Sequence, residues 1–348
     1  MQIDPRNLFA ATTSFLRPIG WRDTTPDPRW LEGCLLFDRD RRTTSFDGTE
    51  IAYGVHGRKG PWVVLVPGFC CPDNFWRYLL PELKRSYRVI VYDLRGLGLS
   101  GFPRSPGFRA RNLDPSDFDM ANHARDLEAV LDAEGIRKAA LIGHSMGGQI
   151  ILEAYRHFPE RVDALVFLTA LFESAMGALY GRDTDKGFVW LTRLLRILPR
   201  PTVLLWRALF LANPAFTNRM AQLVRALGPD AKTEDMATYY RHLAFLDPLV
   251  LLKMAEAMHE HSAADILQDV RVPTLIVAGD IDMFAPIHLA ELMKDTMPDA
   301  ELALVKGAAH GGVIEKPDQV NRAVLSFLDG RLKRASARPA TGHAAAGV

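Results

Sequence analysis

The stretch Ala139-Ala140-Leu141-Ile142-Gly143-His144-Ser145-Met146-Gly147-Gly148 decides how the chain is read. Ala139–Gly143 is a short, wholly apolar run, the mark of a strand buried on both faces. Residues 146–158 carry a helical pattern. Between them lies Gly-x-Ser-x-Gly, with the strand before and the helix after that the motif requires. A strand that becomes a helix within one or two residues forces the residue at the bend into a strained backbone conformation. Gly143 and Gly147 remove side chains that would collide across so tight a turn. The bend lifts the Ser145 hydroxyl above the strand ends. The helix beginning near Met146 aims its N–H groups and its positive dipole end at any charge developing there.

The same alternation recurs on both sides. Thr43–Asp47 and Ile51–His56 flank Gly48 as a hairpin, and Trp62–Val66 and Arg88–Tyr92 are further buried strands. Val162–Thr169, Thr274–Gly279 and Glu301–Val305 follow as strands, with helices predicted over 73–85, 119–134, 286–296 and 317–329. Strands alternating with helices predict an α/β fold with a doubly wound, mostly parallel sheet. Between 171 and 248 the alternation stops, and helices with turns at Pro199–Pro201, Asn213–Pro214 and Gly228–Pro229 read as an inserted helical cap. The core is then 43–170 together with 249–330. Residues 1–42 form an N-terminal extension. Pro5, Pro18, Pro26 and Pro28 exclude a long helix there, and Phe9, Phe15, Trp21 and Trp30 fit a strap packed on the body or on a partner subunit. Residues 331–348, rich in Ala, Gly and Arg, are expected to be a flexible tail.

A serine hydroxyl is a weak nucleophile until a base takes its proton. His310 sits in Lys306-Gly307-Ala308-Ala309-His310-Gly311-Gly312, after the last strand and before the last helix. Its small neighbours let the loop carry the imidazole over the strand ends. The other histidines have plainer readings. His144 adjoins the serine but is expected to point away beneath the rim of the sheet. His157 lies at a helix end, where a cation suits the dipole. His259 and His261 read as an exposed helix face, and their spacing does not make a metal pair.

The base in turn needs a carboxylate to fix its tautomer. Val277-Ala278-Gly279-Asp280-Ile281-Asp282-Met283-Phe284-Ala285-Pro286 offers two. Asp282 lies far enough into the loop to reach across, whereas Asp280 is placed to brace the turn. The chain order Ser145, Asp282, His310 is nucleophile, acid, histidine, the order expected for a serine hydrolase on this kind of sheet.

Composition excludes other classes. With 348 residues, 48% hydrophobic and 24% charged, the chain can bury a sizeable core and is not globally disordered. Forty-two basic against 41 acidic residues leave a formal charge of +1, without the pull toward nucleic acid that a basic protein has. No apolar run reaches the roughly 18 residues of a membrane span. Met1-Gln2-Ile3-Asp4-Pro5 lacks the start of a secretory signal, so a cytoplasmic location is expected. Cys34, Cys70 and Cys71 make no disulfide framework and no zinc spacing, so neither a metal nor a cofactor is expected.

The nucleophile turn, the Asp282 and His310 loops, Val66-Pro67-Gly68-Phe69 and Asp93-Leu94-Arg95-Gly96-Leu97-Gly98-Leu99-Ser100 together resemble the α/β-hydrolase superfamily over roughly 43–330. Within it the chain is similar to capped serine carboxylesterases and lipases. The resemblance implies acyl transfer to Ser145 followed by hydrolysis, with no cofactor. It also implies an oxyanion hole from the backbone N–H groups of Phe69 and Met146; each such donor is typically worth about 10²–10³ in rate. Pro67 stands where the family usually has histidine. Haloalkane dehalogenases and epoxide hydrolases of this fold use aspartate at the nucleophile position, so Ser145 argues against both.

Phe188–Leu198 and Val203–Leu211 in the cap are apolar around most of their circumference, with arginines spaced along them. Three roles are open to them. They pack on each other and on the sheet, they line an apolar acyl pocket in which Trp190 and Trp206 join Cys70, or they touch a lipid surface. The expected substrate is a small uncharged ester with an aliphatic or aromatic acyl group. An acyltransferase, a carbon–carbon bond hydrolase and a low-turnover ligand receptor would use the same residues, and a homo-oligomer remains open.

Overall fold

The computed structural model describes residues 35–103, 113–173, 187, 190–195, 202, 205–206, 208–210 and 213–336. The expected strap over 1–42 therefore lies mostly outside the described residues, as does the far end of the expected tail.

The strands are β1 (Arg41–Thr44), β2 (Glu50–His56), β3 (Trp62–Val66), β4 (Arg88–Tyr92), β5 (Ala139–His144), β6 (Val162–Leu168), β7 (Thr274–Gly279) and β8 (Ala300–Val305). They form one sheet in the order β1-β2-β4-β3-β5-β6-β7-β8. The β1–β2 and β2–β4 pairs are antiparallel, and every other pair is parallel. The central strands β5 and β7 are buried at every position and mostly apolar, because both of their faces are covered. Val64, Val66, Leu141, Leu165 and Phe167 pack on one face with Leu127 and Leu131 of α2 (Met120–Ala133) and Ile150 and Ile151 of α3 (Gly147–His157). Val63, Leu65, Ile142, Val166 and Val277 pack on the other with Leu80 of α1 (Leu80–Leu83) and Val324 and Leu328 of the last helix. Each such side chain, removed from water, stabilises the fold by roughly 1.5–3 kcal/mol before entropy is counted.

One buried charge cluster ties the turn after β4 to α2. Arg95 donates to both oxygens of Asp126, at 2.7 and 2.6 Å, and also to Asp47 at 2.9 Å. The near edge of the N-terminal segment is also fastened. The N–H groups of Leu36 and Phe37 donate to the Asp73 carboxylate, and Arg39 donates to Asp93 at 3.1 Å.

The insertion contains α4 (Pro214–Leu223) and α5 (Thr233–Phe245), and α6 (Pro248–Glu260) returns the chain to the sheet. The final elements are α7 (Ile287–Thr296), α8 (Gly312–Glu315) and α9 (Pro317–Ser336).

Several local expectations differ from the structure. The helix expected over 73–85 divides into a 3-10 turn at Asp73–Trp76 and the short α1, because Pro81 lacks an N–H and restarts the helix. α9 continues past the predicted boundary at 330, so the start of the expected tail is helical. His261 is not on an exposed face; it stands just beyond α6, largely buried, with Nε2 3.0 Å from Glu153 Oε1. His259 is half-buried.

Candidate active site

Parallel strands deliver their following loops to one edge. Val66 is level with Gly143, His144 with Leu168, Leu168 with Val277, and Gly279 with Val305. The loops after β3, β5, β6, β7 and β8 therefore leave the sheet side by side.

At the end of β5 the backbone of Ser145 has φ +52°, in the left-handed region that costs a non-glycine residue strain. The turn leaves no room around it. A Cβ on Gly143 would stand 2.4 Å from the Gly147 carbonyl oxygen, and one on Gly147 would stand 2.4 Å from that of Val66. Any side chain at either position would push the helix off the strand. Ser145 is half-buried at the start of α3, where the Gly148 N–H closes the first turn onto its carbonyl at 2.9 Å.

His310 and Asp282 arrive from the neighbouring loops. Ser145 Oγ lies 2.8 Å from His310 Nε2, and His310 Nδ1 lies 3.0 Å from Asp282 Oδ2. The other Asp282 oxygen accepts from the N–H groups of Phe284 and Ala285, at 2.8 and 2.9 Å. Burial alone would raise the Asp282 pKa. The imidazole and the two N–H donors outweigh burial and hold it below the ordinary carboxylate value. Burial likewise presses the His310 pKa down, and the charge and hydrogen bond of Asp282 overcome this and raise it. An ionised Asp282 keeps the proton on Nδ1, so Nε2 is free to accept the hydroxyl proton of Ser145.

A second layer, absent from the sequence reading, fixes the histidine loop. The hydroxyl of Thr169, just beyond β6, donates to the His310 carbonyl at 3.0 Å, and His144 Nε2 approaches the same oxygen at 3.3 Å. His144 is buried beneath the rim but turned toward this loop. Burial pushes its pKa down to about 3, so it is neutral and donates. Glu315 takes the Ala309 N–H on one carboxylate oxygen and the Gly228 N–H of the cap on the other, both at 2.8 Å. Burial raises the Glu315 pKa. Asp280 accepts from the Gly307 N–H at 2.6 Å, across the β7 and β8 loops. Thr169 has φ +44°, a strain signal that no sequence pattern carries.

The loop after β3 lies against the nucleophile. A Cβ on Gly68 would come within 2.8 Å of the Ser145 Cβ. The N–H groups of Phe69 and Met146 donate to no acceptor among the described residues. Cys70 is buried with φ +58°, and its neighbour Cys71 donates its thiol to the Phe69 carbonyl at 3.3 Å. Of the two cap tryptophans, Trp206 is half-buried, donates its indole N–H to the Leu243 carbonyl at 2.6 Å and packs on Phe210. Trp190 is exposed. Among the described residues, no three His, Cys, Asp or Glu side chains converge as a metal-binding group. No described helix is long and apolar enough to cross a membrane.

Against known proteins, residues 61–317 match the family model for the alpha/beta hydrolase fold. The chain belongs to the α/β-hydrolase family. It is 30% identical over 278 residues to a protein of Azorhizobium caulinodans named "Putative carbamate hydrolase RutD", covering 80% of this chain and 94% of that one. The esterase RhEst1 of Rhodococcus sp. ECU1013 superposes with TM-score 0.62 and 26% identity, over 84% of this chain and 98% of that one. A thermophilic esterase of Thermogutta terrifontis superposes with TM-score 0.66 and 24% identity, over 84% and 98%, a likeness of fold. As an α/β-hydrolase the chain is a hydrolase of the serine-esterase type.

Proposed function

We propose that this hydrolase cleaves uncharged carboxylic esters with apolar acyl groups through an acyl-Ser145 intermediate. The observation that carries the proposal is the continuous relay from Ser145 Oγ through the His310 ring to Asp282, at 2.8 and 3.0 Å. His310 Nε2 takes the hydroxyl proton as Oγ attacks the ester carbonyl. The carbonyl oxygen, now negative, is held by the N–H groups of Phe69 and Met146. The tetrahedral intermediate expels the alcohol, which leaves with the proton from His310. Water then gives its proton to His310 and attacks the acyl-enzyme, releasing the acid and restoring Ser145. Asp282 keeps its negative charge throughout and stabilises the imidazolium.

An apolar acyl group is supported by what borders the relay. The Phe284 ring centroid is 5.3 Å from that of His310, and the Leu227 side chain abuts Gly311. Labelling by a fluorophosphonate, followed by turnover of nitrophenyl esters of graded acyl length, tests the reading. Ser145→Ala is expected to abolish labelling and to lower kcat/KM by at least about 10³-fold. Labelling that persists in Ser145→Ala overturns it. A nitrophenyl carbamate in the same panel compares the carbonyl class for which the Azorhizobium relative is named. A carbamate turned over faster than every ester would replace the ester as the substrate class.

A further inference from the structure

One helix of the cap, α4, is built inside out, although α5 buries Met236, Tyr240 and Leu243 in the ordinary way. On α4 the residues turned inward are polar: Thr217 and Asn218 are buried. Thr217 donates to the Leu209 carbonyl at 3.2 Å. Asn218 donates to the Ala231 carbonyl at 3.1 Å and accepts from the Tyr240 hydroxyl at 2.9 Å. The residues turned outward are apolar. Phe216, Met220 and Leu223, at helical spacing along one face, are exposed, Phe216 to 57% and Leu223 to 73%. The neighbouring helical pieces also leave apolar side chains exposed. Leu205 is 71% exposed while Trp206 beside it packs inward, and Trp190 is 64% exposed while Thr192 is buried. Ordinary surface helices place their apolar stripe against the core. A row of large apolar side chains left in water along one helix face, as on α4, marks a contact surface.

The charge of the same region identifies what it contacts. Residues 187–229 contain Arg193, Arg196, Arg200, Arg207, Arg219 and Arg225 and no acidic residue, in a chain whose total formal charge is +1. Arg219 and Arg225 are exposed and have no carboxylate partner among the described residues. A second copy docking through this face would set arginines against arginines, because a two-fold interface pairs a patch with itself. The N-terminal segment 1–34 does not supply the missing negative charge either. Its Asp4, Asp23, Asp27 and Glu32 are balanced by Arg6, Arg17, Arg22 and Arg29. Exposed apolar side chains set among unpaired cations match a partner that is negative at its surface and apolar beneath it. We infer that the outer face of the cap docks on an anionic lipid surface, with Phe216, Met220 and Leu223 entering the acyl boundary and Arg219 and Arg225 meeting the headgroups.

The inference stands apart from the chemistry at Ser145 and is tested by binding. The full chain is sedimented with vesicles of phosphatidylcholine alone or mixed with phosphatidylglycerol, at low and high salt. The mixed vesicles are expected to bind it at least roughly tenfold more tightly, and salt is expected to weaken the binding. The double variant Phe216→Ser, Leu223→Ser is expected to lose at least roughly tenfold in affinity, with an unchanged thermal melt. Ser145→Ala is expected to bind like the wild type. If the serine variant unfolds, Arg219→Glu with Arg225→Glu tests the cationic half and is expected to remove the preference for phosphatidylglycerol. The inference is overturned by any of four results: no sedimentation of the wild type, equal binding by the folded variants, a solution dimer that Phe216→Ser, Leu223→Ser splits, or binding that appears only after residues 1–34 are removed.

Discussion

The sheet and the cap helix α4 of this hydrolase obey opposite rules. In the sheet, β5 and β7 are buried at every position, and the charged groups drawn inside, such as Arg95 and Asp126, are paired in full. On α4 of the cap, threonine and asparagine face inward while phenylalanine, methionine and leucine face water. The difference teaches that the sheet is specified by its own interior, whereas the outward face of the cap is specified by something beyond the chain. The proton relay itself belongs to loops at the sheet rim, while its apolar border is shared between Phe284 of the Asp282 loop and Leu227 of the insertion.

The sharpest way to break this division is at the rim. Asp282→Asn is expected to lower kcat/KM by about 10³–10⁴-fold with the fold intact, as measured on a nitrophenyl ester. The acid limb of the pH profile should report the same residue. Asp282 raises the His310 pKa, and His310 works as a base in its neutral form, so the limb should lie above the ordinary histidine value of about 6.5. It should move to lower pH in the variant, and a limb that stays in place would remove Asp282 as the partner.

Stability should divide in the same way. Asp126→Ala strands Arg95 without its bidentate partner in the core and is expected to cost about 3–5 kcal/mol in urea unfolding. Acid should strain both regions. Burial presses the pKa of His144 in the sheet down to about 3 and that of His242 in the cap down to about 4. Unfolded, each takes up a proton below about pH 6.5, whereas folded they remain neutral. Stability is therefore complete above that value and falls as pH drops toward 4 and 3. Between pH 7 and 5 the loss should be about 2 kcal/mol per histidine, read as a shift of the urea midpoint. The smallest effect is expected on the outer cap face, where Leu223→Ser should change stability by no more than about 0.5 kcal/mol. A loss of several kcal/mol there would mean that the side chain packs on this chain after all.

The fold was legible because its signals are local. Trp62–Val66, Arg88–Tyr92 and Thr274–Gly279 are apolar runs with hard boundaries, and the structure begins and ends them at the same residues. The close approach of Gly143 and Gly147 was legible for the same reason, since only glycine fits where backbones nearly touch. Ser145, Asp282 and His310 could be picked out because each follows a strand. What surrounds them could not. Thr169 and the turned ring of His144 act on the distant His310 carbonyl, and Glu315 on the distant Gly228 amide, and hydrogen bonds to backbone leave no mark on residue spacing. The direction in which Trp190 faces was not legible, because apolar periodicity tells which residues share a helix face but not whether that face looks inward.

Glu315 has a consequence for how this molecule is studied. One carboxylate holds an amide of the insertion with one oxygen and an amide beside the general base with the other. The roof over the site and the alignment of the imidazole are thus mechanically geared. Sequence changes around Gly228, remote from any bond being broken, can alter turnover without altering what binds. Kinetic surveys that sort cap variants only by affinity will overlook them.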